Sequence, residues 1–232
     1  MSTEHDAYFP WTHLGLRANP FQSLKREDWM DIAVMPHQIS LWLKKPSAIL
    51  QVSGPSGAGK TSALLAIKKE LARQGLSSIY FYVPVDQDEP VLEDASGRPL
   101  LLDEAQRLSR RSLLKLFRAA KYVPAQQQSP SLVISTHKDF SADARRLSVD
   151  FTSVELGGMQ DEDLELMLGR RIQHFASKGL SPVHFQPAAL RFLAETFGAD
   201  LRSMEAFLYE FFQSIPTSPE IEVQVLRERY RG

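Results

Sequence analysis

The chain has no cysteine in 232 residues, which excludes disulfides, thiolate catalysis and cysteine-ligated metal sites. Charge of one sign is also lacking: 27 Lys and Arg stand against 28 Asp and Glu, a formal net charge of −1. A uniformly basic protein is thereby excluded, although a local basic patch is not. No apolar run approaches the length of a membrane-spanning helix, and Met1 to Glu4 is polar, unlike the start of a secretory signal. These absences predict no membrane insertion and a cytoplasmic location. Internal repeats, low-complexity segments and metal-ligand spacings are missing too. The length suits one substantial core with a small appendage.

Against these absences one stretch stands out, Ser-Gly-Pro-Ser-Gly-Ala-Gly-Lys-Thr-Ser from Ser53 to Ser62. It fits G-x-x-x-x-G-K-[ST], the phosphate loop or Walker A pattern, with Gly54, Gly59, Lys60 and Thr61 at the fixed positions. Backbone amides must wrap a polyphosphate closely, so side chains are absent where the loop turns. Gly54, Pro55, Ser56, Gly57, Ala58, Gly59, Lys60, Thr61 and Ser62 are the candidate nucleotide-binding residues. Lys60 supplies charge to the β- and γ-phosphates, and the Thr61 hydroxyl completes a Mg²⁺ shell. Ala48 to Val52 reads as a buried parallel strand before the loop. Ser62 to Gln74, with Leu64, Leu65, Ile67 and Leu71 in helical spacing, reads as the helix after it.

Pro99-Leu-Leu-Leu-Asp-Glu-Ala-Gln106 is an apolar strand with two carboxylates at its carboxyl end, a Walker B pattern. Asp103 is the candidate Mg²⁺ holder, and Glu104 the group that orients and activates the attacking water. The presence of Glu104 beside Asp103 argues for hydrolysis as well as binding. Between the two motifs, Ser77 to Val85 reads as a second strand and Asp86 to Gly97 as a solvated acidic loop.

After Asp103 and Glu104 comes a basic helix with Arg107, Arg110, Arg111, Lys115, Arg118 and Lys121 and no acid among them. The spacing puts Arg107, Arg111, Lys115 and Arg118 on one face, a candidate contact to a DNA backbone. A solvated face, or a surface pairing with a neighbouring subunit's acidic loop, is the alternative. Gln126 to Ser131 is a polar loop, Leu132 to His137 a strand, and Phe151 to Leu156 the last core strand. Beyond Gly157-Gly158 only helices are predicted: Asp161 to Ser177, Pro187 to Gly198 and Asp200 to Phe212. Glu220 to Gly232 reads equally as an added strand, a docking peptide or a frayed end.

The opening phrase Gly15-Leu-Arg-Ala-Asn19-Pro-Phe21 resembles the start of AAA+ ATPases of secretion and transposon target-selection systems. Gly198-Ala-Asp-Leu-Arg202-Ser-Met-Glu resembles the lid of the bacterial replication initiator and its regulatory paralogue. Together with the two core motifs, the chain resembles AAA+ P-loop ATPases of the initiator-like branch over Leu14 to Phe212. The resemblance implies an α/β fold, a parallel-sheet core with a small all-helical lid. It divides the chain into an arm (1–35), a nucleotide-binding core (36–157), a lid (158–215) and a tail (216–232). It places Asn19 and Phe21 near adenine, and makes Thr136, with His137 second, the polar sensor between Walker B and the γ-phosphate. Arg202 becomes a lid sensor of the same phosphate. Arg145 and Arg146 become candidates for a finger acting on a neighbouring subunit. The relatives' finger lies a few residues later, where this chain has Val149 and Asp150, so either the finger is shifted or trans-activation is weak.

The expectation is therefore an ATPase that binds ATP and ADP with Mg²⁺, forms a nucleotide-dependent homo-oligomer, and assembles on or regulates a DNA-associated complex with a protein partner. The alternative is a protein-directed adaptor or regulatory ATPase that does not bind DNA. A small kinase on the same loop is disfavoured by the Asp-Glu pair and the helical lid.

Overall fold

The structure is a computed structural model and describes residues 10–86, 97–121, 130–159, 161–177, 181–214 and 216–231. The polar start Met1 to Glu4, residues 87–96 of the acidic loop and loop residues 126–129 lie outside the described residues. In chain order the elements are a 3-10 turn at Thr12–Leu14, α1 Arg26–Ile32, α2 His37–Lys44, β1 Ile49–Ser53, α3 Lys60–Arg73, β2 Ile79–Tyr82 and β3 Leu100–Asp103. A second 3-10 turn at Ala105–Arg107 precedes α4 Arg110–Lys121, β4 Leu132–Thr136, α5 Ser141–Leu147 and β5 Phe151–Glu155. The chain continues with α6 Asp161–His174, β6 His184–Phe185, α7 Pro187–Phe197, α8 Leu201–Gln213, β7 Glu220–Ile221 and α9 Val223–Arg231. Among the described residues no helix is long and apolar enough to cross a membrane.

The chain divides into two compact units, residues 33–157 and residues 1–32 with 158–232. In the first, a parallel sheet of five described strands runs in the order β2-β3-β4-β1-β5. Its central strands β3, β4 and β1 are buried along nearly their whole length and mostly apolar, because helices cover both faces. Side chains alternate between those faces. Leu100, Leu102, Leu132 and Ile134 pack with Leu113, Phe117 and Ala120 of α4 and Ala144 of α5. Leu50, Val52, Leu101 and Val133 pack with Ile39 and Trp42 of α2 and Ala63, Leu64, Ile67 and Leu71 of α3. This period of two assigns every functional side chain at the strand ends to one face or the other. Gln51, on the α4 face and fully buried, is satisfied by Asp139, Ser153 and the Phe140 amide.

In the second unit the arm is stitched to the helices. Arg17 N–H donates to Phe175 O, Trp11 Nε1 to Phe212 O at 2.9 Å and Ser181 Oγ to Leu14 O at 2.7 Å. At its centre is the buried Arg171 of α6, which donates to Pro20 O, Gln22 O and Glu205. Its guanidinium also lies over the rings of Phe21 and Trp29. The tail is helical from Val223 onward. Val223 and Leu226 are buried and Val225 is exposed, so the apparent alternation of Ile221, Val223 and Val225 is strand only as far as Ile221.

Candidate active site

The loop between β1 and α3 is shaped by its glycines. Gly54 has φ +147°, and a Cβ there would stand 2.6 Å from the Leu156 carbonyl oxygen, so the chain can pass this point only without a side chain. Gly59 caps α3 in the left-handed region, aiming the helix's amino end along the loop. Pro55 and Ser56 are exposed, whereas Ala58 and Lys60 are buried. Lys60 Nζ donates to Gly54 O at 2.9 Å and Pro55 O at 2.7 Å, and lies 3.4 Å from His137 Nδ1, so its charge stands within the loop.

Asp103 shares its sheet face with Leu101, which directs its buried carboxylate toward α3. Thr61 Oγ1 and Tyr80 OH each donate to Oδ2 at 2.7 Å, and Ser135 Oγ donates to Oδ1. Thr61 gives its proton to Asp103 and so keeps its oxygen lone pairs for a cation. Hydroxyl and carboxylate together form the hard oxygen donor set that Mg²⁺ takes, and the residues fit that ion.

Glu104 occupies the left-handed region at φ +65°, held there by its own N–H donating to Ser135 Oγ at 2.9 Å. Its Oε2 accepts from Gln106 Nε2 at 2.7 Å and pairs with Arg107 Nη2 at 3.1 Å, while Oε1 lies 3.9 Å from His137 Nε2. Arg107 also donates to Tyr82 OH and Val83 O and covers the Tyr82 ring. The Tyr82 hydrogen bond chiefly, with the charges of Glu104 and Asp103, raises the Arg107 pKa despite partial burial.

The structure brings Lys60, Thr61, Asp103 and Glu104 together, and with them Tyr80, Ser135 and Gln106, which the motif reading missed. It turns the polar sensor position differently. Val133 and Ser135 share the α3 face with Asp103, so Thr136 points to the other face, where its hydroxyl closes a turn with the backbone of Lys138. Ser135 of β4 and His137, just beyond its end, are therefore the side chains that meet the site here, and strand parity was the signal that could have found Ser135. The basic stripe is also corrected. Arg107 lies in the 3-10 turn before α4 and is engaged with Glu104, because Ser109 caps the Ser112 amide and the helix starts only at Arg110. Arg111, Lys115 and Arg118 remain exposed on α4. Arg145 and Arg146 are exposed in the last turn of α5, and Arg202 is exposed in the first turn of α8. Asn19 is buried, accepting from the Phe21 amide and donating to Tyr209 O, and Phe21 packs on Phe212 at 5.3 Å.

Comparison with family models gives no match, and comparison with curated proteins gives none. Solved structures do match. RuvB of Thermotoga maritima, a Holliday junction branch migration motor, aligns at 18% identity over 89% of this chain and 67% of that one, with a TM-score of 0.53. NtrX of Brucella abortus in complex with ADP aligns at 16% identity over 86% of this chain and 61% of that one, TM-score 0.52. PCH-2 of C. elegans aligns at 13% identity over 88% of this chain and 72% of that one, TM-score 0.53. The chain spans 66% of the length of the RuvB R170A variant and 61% of NtrX. At these identities the likeness is one of fold, and it agrees with the strand order, the glycine-lined loop and the acidic pair at the end of β3. The chain has the fold of the AAA+ P-loop ATPases.

Proposed function

We propose that the chain is an ATP-binding and hydrolysing switch that assembles on, or regulates, a DNA-associated complex. The observation that carries the nucleotide reading is the hydrogen bond from Thr61 to Asp103, with Lys60 inside the loop and Glu104 one residue beyond. The amides of Gly54 to Ser62 hold the phosphates, and Lys60 offsets their charge. Thr61 and Asp103 hold Mg²⁺, which when bound neutralises charge developing on the phosphoryl oxygens. Glu104 accepts a proton from the attacking water. Because Gln106 and Arg107 already engage its Oε2, the unassisted rate is slow and rises with a partner or with assembly. His137 beside Lys60, Arg202 on the helical unit, and Arg145 or Arg146 toward a neighbouring copy are the groups through which the γ-phosphate is read. Asn19 and Phe21 serve the base. The likeness to NtrX, which is in complex with ADP, supports nucleotide, and the likeness to RuvB, a Holliday junction branch migration motor, supports DNA.

The DNA reading rests on the exposed face of Arg111, Lys115 and Arg118. Loss of Arg107 from that face favours the second reading, a protein-directed adaptor. One set of measurements separates them: sedimentation with and without ATP·Mg²⁺ and duplex DNA at two salt concentrations, with Lys60→Ala and Glu104→Gln beside the wild type. A large, salt-sensitive assembly needing both ligands, absent in Lys60→Ala and prolonged in Glu104→Gln, is the expected result. ATP-dependent behaviour that ignores DNA selects the adaptor. ATP binding by Lys60→Ala, or undiminished turnover by Glu104→Gln, would overturn the site assignment.

A further inference from the structure

We infer that Tyr80, on the edge strand β2, is a positioning residue for the metal-holding carboxylate. The inference rests on the reading of Asp103 and Thr61 as the Mg²⁺ site.

Tyr80 pairs with Leu101 across β2 and β3, and its ring packs in the cluster on the α3 face. From there the phenol reaches the end of β3 and donates to Asp103 Oδ2 at 2.7 Å. That oxygen is also the one that accepts the Thr61 proton, at the same distance. The side chain of Asp103 is buried, so bulk water does not replace a donor removed from it. For Thr61 to present lone pairs to a cation, its proton must find Oδ2 in a fixed place. Ser135 fixes the other oxygen from β4, but Thr61 is itself the ligand and cannot also be the brace. Among the described residues Tyr80 is the other side chain that donates to Oδ2, and it comes from β2, on the side of β3 away from β4. Ring packing alone does not require the hydroxyl; the hydroxyl is what touches the carboxylate.

Donors that orient a metal ligand change metal affinity by about tenfold or more when removed. Tyr80→Phe keeps the ring and removes that donor. The test follows binding of a fluorescent ADP derivative to the full chain, first without Mg²⁺ and then through a MgCl₂ titration. The expected result is unchanged Mg²⁺-free affinity and an about tenfold higher Mg²⁺ concentration at the midpoint. A midpoint equal to that of the wild type overturns the inference. So does a parallel loss of Mg²⁺-free affinity, or loss of folding, either of which makes the tyrosine a packing residue only. If wild-type ADP binding itself ignores Mg²⁺, the reading of Asp103 fails first, and that result is distinct from a failure of Tyr80 alone.

Discussion

Arg171 is the side chain whose loss the structure prices most clearly. Its side chain is 2% exposed, and the guanidinium donates at 2.8 Å to Pro20 O, at 2.9 Å to Gln22 O and at 2.9 Å to Glu205 Oε1. Arg171→Met keeps most of the apolar stem but strands two carbonyls and leaves Glu205 with only the weaker attraction of Arg202. Removing one member of a buried pair costs about 3–5 kcal/mol, a large part of the ~5–15 kcal/mol that holds a domain together. Burial already raises the Glu205 pKa, against the attraction of Arg171. For a group raised in the folded state, stability is present below the unfolded value and is lost as pH rises through the folded one. Without Arg171 that value rises further, so the deficit should be larger near neutral pH than in mild acid. Denaturant titration at both pH values measures it, and hydrogen exchange locates it at the arm, where Arg17 and Phe21 amides should lose protection. Arg171→Met with Glu205→Leu should recover part of the loss. The proposed service of Asn19 and Phe21 to the base adds a second readout, weaker ADP binding in the single variant. An unchanged arm by exchange, or a deficit independent of pH, would refute this account.

Three further outcomes are expected. Gly54→Ala places a methyl 2.6 Å from Leu156 O in a left-handed backbone, and should cost about 1–3 kcal/mol in a denaturant melt while weakening ADP binding. Asp200 caps α8 by accepting from the Ser203 amide and hydroxyl, which lower its pKa. Its contribution is present above the ordinary carboxylate range and is lost as pH falls through the depressed folded value, so Asp200→Ala should narrow the acid-side difference in melting temperature. Phe117, fully buried on the face of α4 that packs against the sheet, should cost about 3–5 kcal/mol on truncation to Ala, read as a lower denaturant midpoint.

Much of the fold was legible because its signals are local. The loop from Gly54 to Thr61 and the leucine run ending in Asp103-Glu104 fix two strands, one helix and the face between them. Pro187 and Gly198 mark α7 at both ends. What escaped the reading depends on partners far away in the chain. The arm's membership in the helical unit comes from Arg171, about 150 residues from the carbonyls it binds, and no window of sequence contains both. The tail's helix was hidden because Ile221, Val223 and Val225 satisfy a period of two, whereas burial of Val223 and Leu226 follows packing on the helical unit.

At the site the same division holds, with one instructive exception. Lys60, Thr61, Asp103 and Glu104 are readable because each chemistry needs that residue type at that spacing. Ser135 and Tyr80 have no motif, yet both follow from the alternation of side chains along a strand. Asp103 shares a face with Leu101, Ser135 with Val133, and Tyr80 packs in that same cluster. Thr136 was chosen by resemblance and lies on the other face. Once the Walker B strand and its neighbours are aligned, parity alone decides which polar side chains can touch the metal-holding acid, and it decides against Thr136. Arg107 shows the converse. Helical spacing placed it with Arg111, Lys115 and Arg118, but Ser109 caps the helix one residue before Arg110, and the break turns Arg107 back to Glu104. A residue read as reaching outward to a polyanion is thus bound to the acid proposed to activate water, and its substitution should register in turnover as well as in any DNA binding.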